Sequence, residues 1–219
     1  MTEARTHERF LARATLDALS AVPLFVCTPF HRKQHLRWGA TDAEVAGPMP
    51  GDDLVPKASF AATRAITVDA SPELVWPWIV QMGHRRAGFY TYALLDNAGY
   101  ESADEILEQY QDPQVGDWMP MASKVSETTA FKVTAFESGE WLLWAKPDST
   151  WSWKLTPLLG GGTRLVTRLK QRYQWESPGI AVFTLVLLEV GDFPMMRRML
   201  TSIKARAERS RPKEADRVP

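Results

Sequence analysis

Between Val115 and Trp175 the chain is punctuated by turn-forming residues at a spacing of roughly ten residues. The turns are Gly116-Asp117, Glu137-Ser138-Gly139, Pro147-Asp148-Ser149 and Gly160-Gly161-Gly162. The intervals between them suit strands, and the pattern predicts a meander over Val115–Met121, Thr129–Phe136, Glu140–Ala145, Thr150–Leu158 and Thr163–Trp175. In the last two, apolar and polar residues alternate. Trp151, Trp153 and Leu155 interleave with Ser152, Lys154 and Thr156. Leu165, Thr167, Leu169 and Tyr173 interleave with Arg164, Arg168, Lys170 and Arg172. A sheet with one apolar and one wet face reads this way, and something must cover the apolar face.

The cover is expected from the C-terminal helical stretch. Gly179 to Val190 is almost wholly apolar, and Met195, Met196, Met199, Leu200 and Ile203 then recur at helical spacing. Gly191 and Pro194 should kink or split it. Upstream, Phe60 to Asp69 reads as a strand, rich in β-branched residues. Ser71-Pro72-Glu73 starts a helix to about Met82, with Ser71 as cap, Pro77 as an internal flaw and Gly83 as stop. Short helices follow over Tyr90–Asn97 and Ser102–Gln111, the second capped by Ser102. Strand, short helices, five strands and a long helix make an α+β fold.

Residues 1–22 carry helical spacing in Phe10, Leu11, Ala14, Leu16 and Leu19, ended by Pro23 and Pro29. Residues 39–57 hold several prolines and glycines and read as an arm. The expected division is 1–57 for helix and arm, 58–209 for the main domain, and 210–219 for a polar tail.

That order of elements resembles the START-like SRPBCC superfamily, which includes the birch-pollen-type allergens, and bacterial members of unassigned function above all. The passage Thr63-Arg64-Ala65-Ile66-Thr67-Val68-Asp69 into Val75-Trp76-Pro77-Trp78-Ile79-Val80-Gln81-Met82-Gly83 carries the likeness. Arg86-Ala87-Gly88-Phe89-Tyr90-Thr91-Tyr92, Val115-Gly116-Asp117 and Arg197-Arg198-Met199-Leu200 continue it. So does the arm from Trp38-Gly39-Ala40-Thr41 to Pro50-Gly51-Asp52-Asp53. The resemblance covers about residues 37–209 and implies a helix-grip fold, in which a curved antiparallel sheet wraps a long C-terminal helix with an apolar cavity between. It supplies no catalytic set, because the superfamily mixes carriers, receptors and cyclases.

Nine tryptophans signal either a heavily aromatic core or an aromatic-lined pocket. The candidate cavity walls are Trp141, Trp151, Trp153 and Tyr173. Gln81, Tyr90 and Tyr92 could orient a ligand at its mouth, or tie loop backbone. His84-Arg85-Arg86 could attract a carboxylate or phosphate. His84, with Tyr90, is the acid–base candidate for any chemistry. The chain shows no nucleophile elbow, phosphate loop or dinucleotide glycine pattern.

Lys plus Arg equals Asp plus Glu at 26 each, so net charge gives no pull toward nucleic acid. The single cysteine, Cys27, rules out an intrachain disulfide and a cysteine zinc site, and points to the cytoplasm. His31 and His35 stand four apart in a basic, proline-broken setting, and no metal or cofactor is expected there. Acids and bases near the N-terminus argue against a signal peptide.

The leading expectation is a binding module for a small hydrophobic or aromatic, lipid- or polyketide-like, molecule. A cyclase- or hydratase-type enzyme using the same cavity is the first alternative. Lipid transfer at a membrane surface through residues 179–190 is the second; that stretch is too short to span. The oligomeric state is not legible.

Overall fold

The computed structural model describes residues 2–97 and 99–211. Residues 212–219, most of the expected tail, lie outside the described residues. The sheet has six strands: β1 Phe60–Val68, β2 Trp118–Pro120, β3 Ala130–Glu137, β4 Trp141–Lys146, β5 Ser149–Pro157 and β6 Thr163–Gln171. Their spatial order is β1-β6-β5-β4-β3-β2, with every neighbouring pair antiparallel. The meander is therefore as the turns dictate, and β1 closes the far edge against β6.

The helices are α1 Thr2–Cys27, α2 Arg32–His35, α3 Asp42–Ala46, α4 Pro72–Val80, α5 Ala93–Asp96, α6 Pro178–Val186 and α7 Asp192–Arg209. Between α6 and α7 the backbone makes a π-helical turn, Leu187–Gly191. The helix is not split there: Gly191 and Asp192 keep helical backbone, and the irregularity expected from Gly191 and Pro194 is this widened turn, which ends three residues before Pro194. The architecture is α+β helix-grip: a curved open antiparallel sheet with the long C-terminal helix across its inner face.

That inner face is packed. Cross-strand partners share a face, so Leu142 with Trp153, Trp144 with Trp151, and Leu155 with Leu165 point the same way. They form one buried cluster with Val75 and Ile79 of α4 and with Met196, Met199, Leu200 and Ile203 of α7. Trp144, Trp151 and Trp153 stack ring to ring, with centroids 5.2–6.0 Å apart. The indoles expected to line a space between sheet and helix are thus in contact with one another.

Several local expectations are corrected. Pro23 does not end α1, which runs on to Cys27; one lost backbone donor is tolerated inside a long helix. Ser71 makes no capping bond to the backbone of α4; its hydroxyl serves Glu73, whose carboxyl it holds low. The helix expected from Tyr90 shrinks to the single turn of α5, because Tyr90 takes a left-handed backbone (φ 58°) that a helix cannot contain. The helix expected over Ser102–Gln111 is one 3₁₀ turn, Glu108–Tyr110, and the Ser102 hydroxyl accepts from the Tyr90 N–H instead of capping it.

The outer face of β1 and β6 is not wet. The arm covers it. Gly39 approaches β1 so closely that a Cβ would stand 2.0 Å from the Ala65 carbonyl oxygen, so only glycine fits. A Thr41–Glu44 capping box starts α3. Arg168, read as solvent-facing, is buried and uses all five N–H donors: on Thr63 Oγ1, the carbonyls of Gly47, Glu44 and Val45, and Asp52. Arg164 grips Glu44 with two bonds of 2.7 and 2.9 Å.

The Arg164 guanidinium holds the Glu44 carboxyl down at about 2, against an ordinary 4.5. A depressed acid adds stability above its unfolded pKa and loses it as pH falls through the folded one. The arm's amides are therefore expected to lose hydrogen-exchange protection between pH 4.5 and about 2. In Glu44→Gln the arm should be looser at neutral pH and show no such step.

Candidate functional site

The segment Gly83–Tyr92 joins α4 to α5 and carries two non-glycine residues with positive φ, Arg85 and Tyr90. Such backbone costs about 1–3 kcal/mol per residue and persists only where surroundings fix it. Asn97 Oδ1 accepts from the Arg85 N–H (3.0 Å), and Gln81 fixes Tyr90. Its amide is fully buried; Nε2 donates to Tyr90 Oη (2.8 Å) and the Glu105 carbonyl (3.1 Å). Its Oε1 accepts from the Leu107 N–H (2.9 Å) and Gln111 Nε2 (3.1 Å). All four hydrogen-bonding positions are spent on protein, so Gln81 orients loops. Burial raises the Tyr90 phenol well above its ordinary pKa, so it stays protonated and is no base.

Arg86 extends from this knot over the Tyr110 ring, 4.4 Å from its centroid. Its Nη1 donates to the Trp118 carbonyl (3.2 Å) and Nη2 to that of Val80 (3.0 Å). Burial lowers its pKa, opposed by Tyr110 and Asp117. Together Arg86, Gln109, Tyr110, Asp112, Pro113, Asp117 and Trp118 wall a cleft of about 220 Å³. Asp117 accepts from the Gln114 N–H (2.8 Å) and so closes the turn before β2. On the other side of Trp118 a smaller hollow of about 80 Å³ is lined by Lys132 and Lys146, and Lys132 Nζ lies 4.3 Å from the Trp118 ring centroid. His84 is nearby and enclosed. Its Nε2 is 3.1 Å from Ser123 Oγ and its backbone N–H donates to the Pro120 carbonyl.

The other sequence candidates stand elsewhere. Trp151 and Trp153 lie on the inner face, within the core. Trp141 pairs with Lys154 and Glu137 and so faces outward; Leu142 and Trp144 take the inner positions, which puts the indole expected at Trp141 at Trp144 instead. Tyr173 lies beyond β6, against Phe60, Ala62 and Leu188; burial, with the Glu189 carboxylate, pushes its phenol up to about 12. Tyr92 is pinned between Phe25, at 5.8 Å, and the Arg198 guanidinium, at 4.5 Å. His35 is buried against Phe193, whereas His31 is exposed on a 3₁₀ turn, so the two do not form a pair. Sequence reasoning missed Tyr110 and Trp118. The signal was present in the two aromatics flanking Val115-Gly116-Asp117.

No family model matches the chain, and no curated protein matches it. Solved structures similar to it include the polyketide-cyclase-like protein Cgl2372 from Corynebacterium glutamicum, at 14% identity, 68% of this chain, 91% of that one and a TM-score of 0.42. Protein MLL2253 from Mesorhizobium loti is similar at 14% identity, 70% of this chain, 100% of that one and 0.41. CalU16 from Micromonospora echinospora is similar at 16% identity, 67% of this chain, 85% of that one and 0.33. The helix-grip assignment itself rests on the strand order and the C-terminal helix.

Proposed function

We propose that the domain binds a small, flat hydrophobic or aromatic molecule bearing an acceptor oxygen, in the Tyr110–Trp118 cleft. The observation that carries this reading is the cleft's composition: about 220 Å³ walled by Tyr110, Trp118 and the Arg86 guanidinium, together with Gln109, Pro113 and the acids Asp112 and Asp117. Rings supply apolar contact area, and a guanidinium at the wall gives direction to a carbonyl, phenolate or carboxylate. The space between sheet and helix is less suited, because the tryptophans there touch one another.

Titration calorimetry with hydroxynaphthoates tests the reading. Trp118→Leu and Tyr110→Leu are each expected to weaken binding about tenfold or more, a loss of about 1.4 kcal/mol. Arg86→Gln should weaken a naphthoate more than the matching naphthamide. If Trp118→Leu binds as the parent does while Trp153→Phe abolishes binding, the guest sits under the helix and this cleft is not the site.

A further inference from the structure

Two helical stretches, Glu8–His35 and Pro178–Arg209, are long and apolar enough to cross a membrane by length and composition. The first is little buried, and the second is partly built into the core. The charged half of the second, from Asp192 on, is α7, whose apolar row is buried against the sheet. Only α6 and the start of the π-helical turn remain uncovered. Along α1, Asp17 pairs with Arg198 at 2.5 Å, and just past its end Arg32 pairs with Glu189 at 2.7 Å, so α1 lies alongside this helix. What both leave outside is apolar. Leu19, Val26 and Phe30 on one side, and Ile180, Phe183 and Val186 on the other, are 51–81% exposed. A monomer rarely shows so much exposed apolar side chain on neighbouring helices without a partner for it.

The rim names the partner. No acid occurs between Asp17 and Asp42; of the cations there Arg32 pairs with Glu189 and Arg37 with Asp42, which leaves the exposed Lys33 as the charge on that border. α6 carries no charge, Glu189 at its far end is neutralised by Arg32, and at its near end the exposed acid Glu176 is offset by the exposed Arg172. Trp175, 57% exposed, stands just before α6, where an amphipathic ring meets headgroups. An apolar face bordered by Lys33 and Arg172 against the single acid Glu176 has a net positive border, which fits an anionic bilayer.

We infer that α6 and the C-terminal half of α1, with the 3₁₀ turn Thr28–His31 that follows it, form a docking face that lies on an anionic lipid surface, with Phe30 and Phe183 entering the acyl boundary and Lys33 and Arg172 meeting headgroups. The inference is independent of the cleft at Trp118.

Flotation with phosphatidylcholine vesicles, with and without phosphatidylglycerol, tests it. The protein is expected to float with mixed vesicles, more weakly with phosphatidylcholine alone, and less as salt rises. Phe183→Asp should cut partitioning about tenfold or more. Lys33→Glu with Arg172→Glu should remove only the preference for the anionic lipid. All these side chains are exposed, and unchanged thermal melting checks that each variant folds. Absence of flotation, or flotation that Phe183→Asp leaves intact, overturns the inference. So does a dimer in light scattering that Phe183→Asp dissociates, which assigns the face to a second copy. Protein that resists salt and alkaline extraction would be spanning, and that also overturns it.

Discussion

Replacing Arg64 by methionine is expected to lower the unfolding free energy by about 3–5 kcal/mol, the range for breaking a buried pair by removing one partner. Arg64 is fully buried; its Nη1 lies 2.6 Å from Asp192 Oδ2, and its Nε donates to the His35 carbonyl at 2.7 Å. The pair joins β1 to the first turn of α7. Burial already pushes the Asp192 carboxyl above its ordinary value, and Arg64 is the group that pulls it back. Without Arg64 the carboxyl climbs further. An acid whose folded pKa exceeds its unfolded one favours the folded state increasingly as pH falls toward the unfolded pKa. The deficit of Arg64→Met relative to the parent should therefore be largest at neutral pH and shrink on acidification toward 3.8. Urea unfolding followed by tryptophan fluorescence at several pH values measures this. The double variant Arg64→Met with Asp192→Leu should recover most of the loss, since no charge is then left unpaired. Equal deficits in the single and double variants would show that the two groups are not coupled.

Trp153→Ala should cost about 3–5 kcal/mol, as truncating a large buried ring does. Trp153 is wholly buried, 5.2 Å from Trp151 and 6.0 Å from Trp144 between ring centroids. The vacated volume would be apolar and enclosed, a setting that admits a small aromatic guest. Indole is accordingly expected to raise the melting temperature of Trp153→Ala and to leave the parent unchanged. A cost under about 1 kcal/mol, with indole stabilising the parent too, would mean that the inner face holds a guest-sized space and that these rings are its lining rather than core.

The strands were legible because side-chain alternation and turn residues are local signals. Trp151, Trp153, Leu155 and Leu165 announce their face within a few residues of chain. The short helices between Gly83 and Gln111 were not legible, because their course is set by contacts across 9–30 residues, from Gln81 to Tyr90, Glu105, Leu107 and Gln111. Arg164 and Arg168 misled for the same reason. Alternation places them opposite the apolar face, but no local signal says that Glu44 and Asp52, more than a hundred residues earlier, will cover them. Trp141 failed by one position of register, which inverts a strand's faces. The cleft escaped because its walls come from separate pieces: Arg86 from the strained segment, Tyr110 from a 3₁₀ turn and Trp118 from the first residue of β2.

The π-helical turn at Leu187–Gly191 has a mechanical meaning. Each α-helical residue advances the azimuth by about 100°, and a wider turn advances it less per residue, so faces on its two sides are offset. The five residues of this turn act as a phase-setting coupling between a helix anchored in the core and a helix that is not. Shortening the coupling by one residue would leave the core row of α7 in place. It would re-aim Phe183 and Val186 around the helix axis without altering a single side chain of α6. The direction in which that apolar helix points is thus encoded in backbone count as well as in its own sequence.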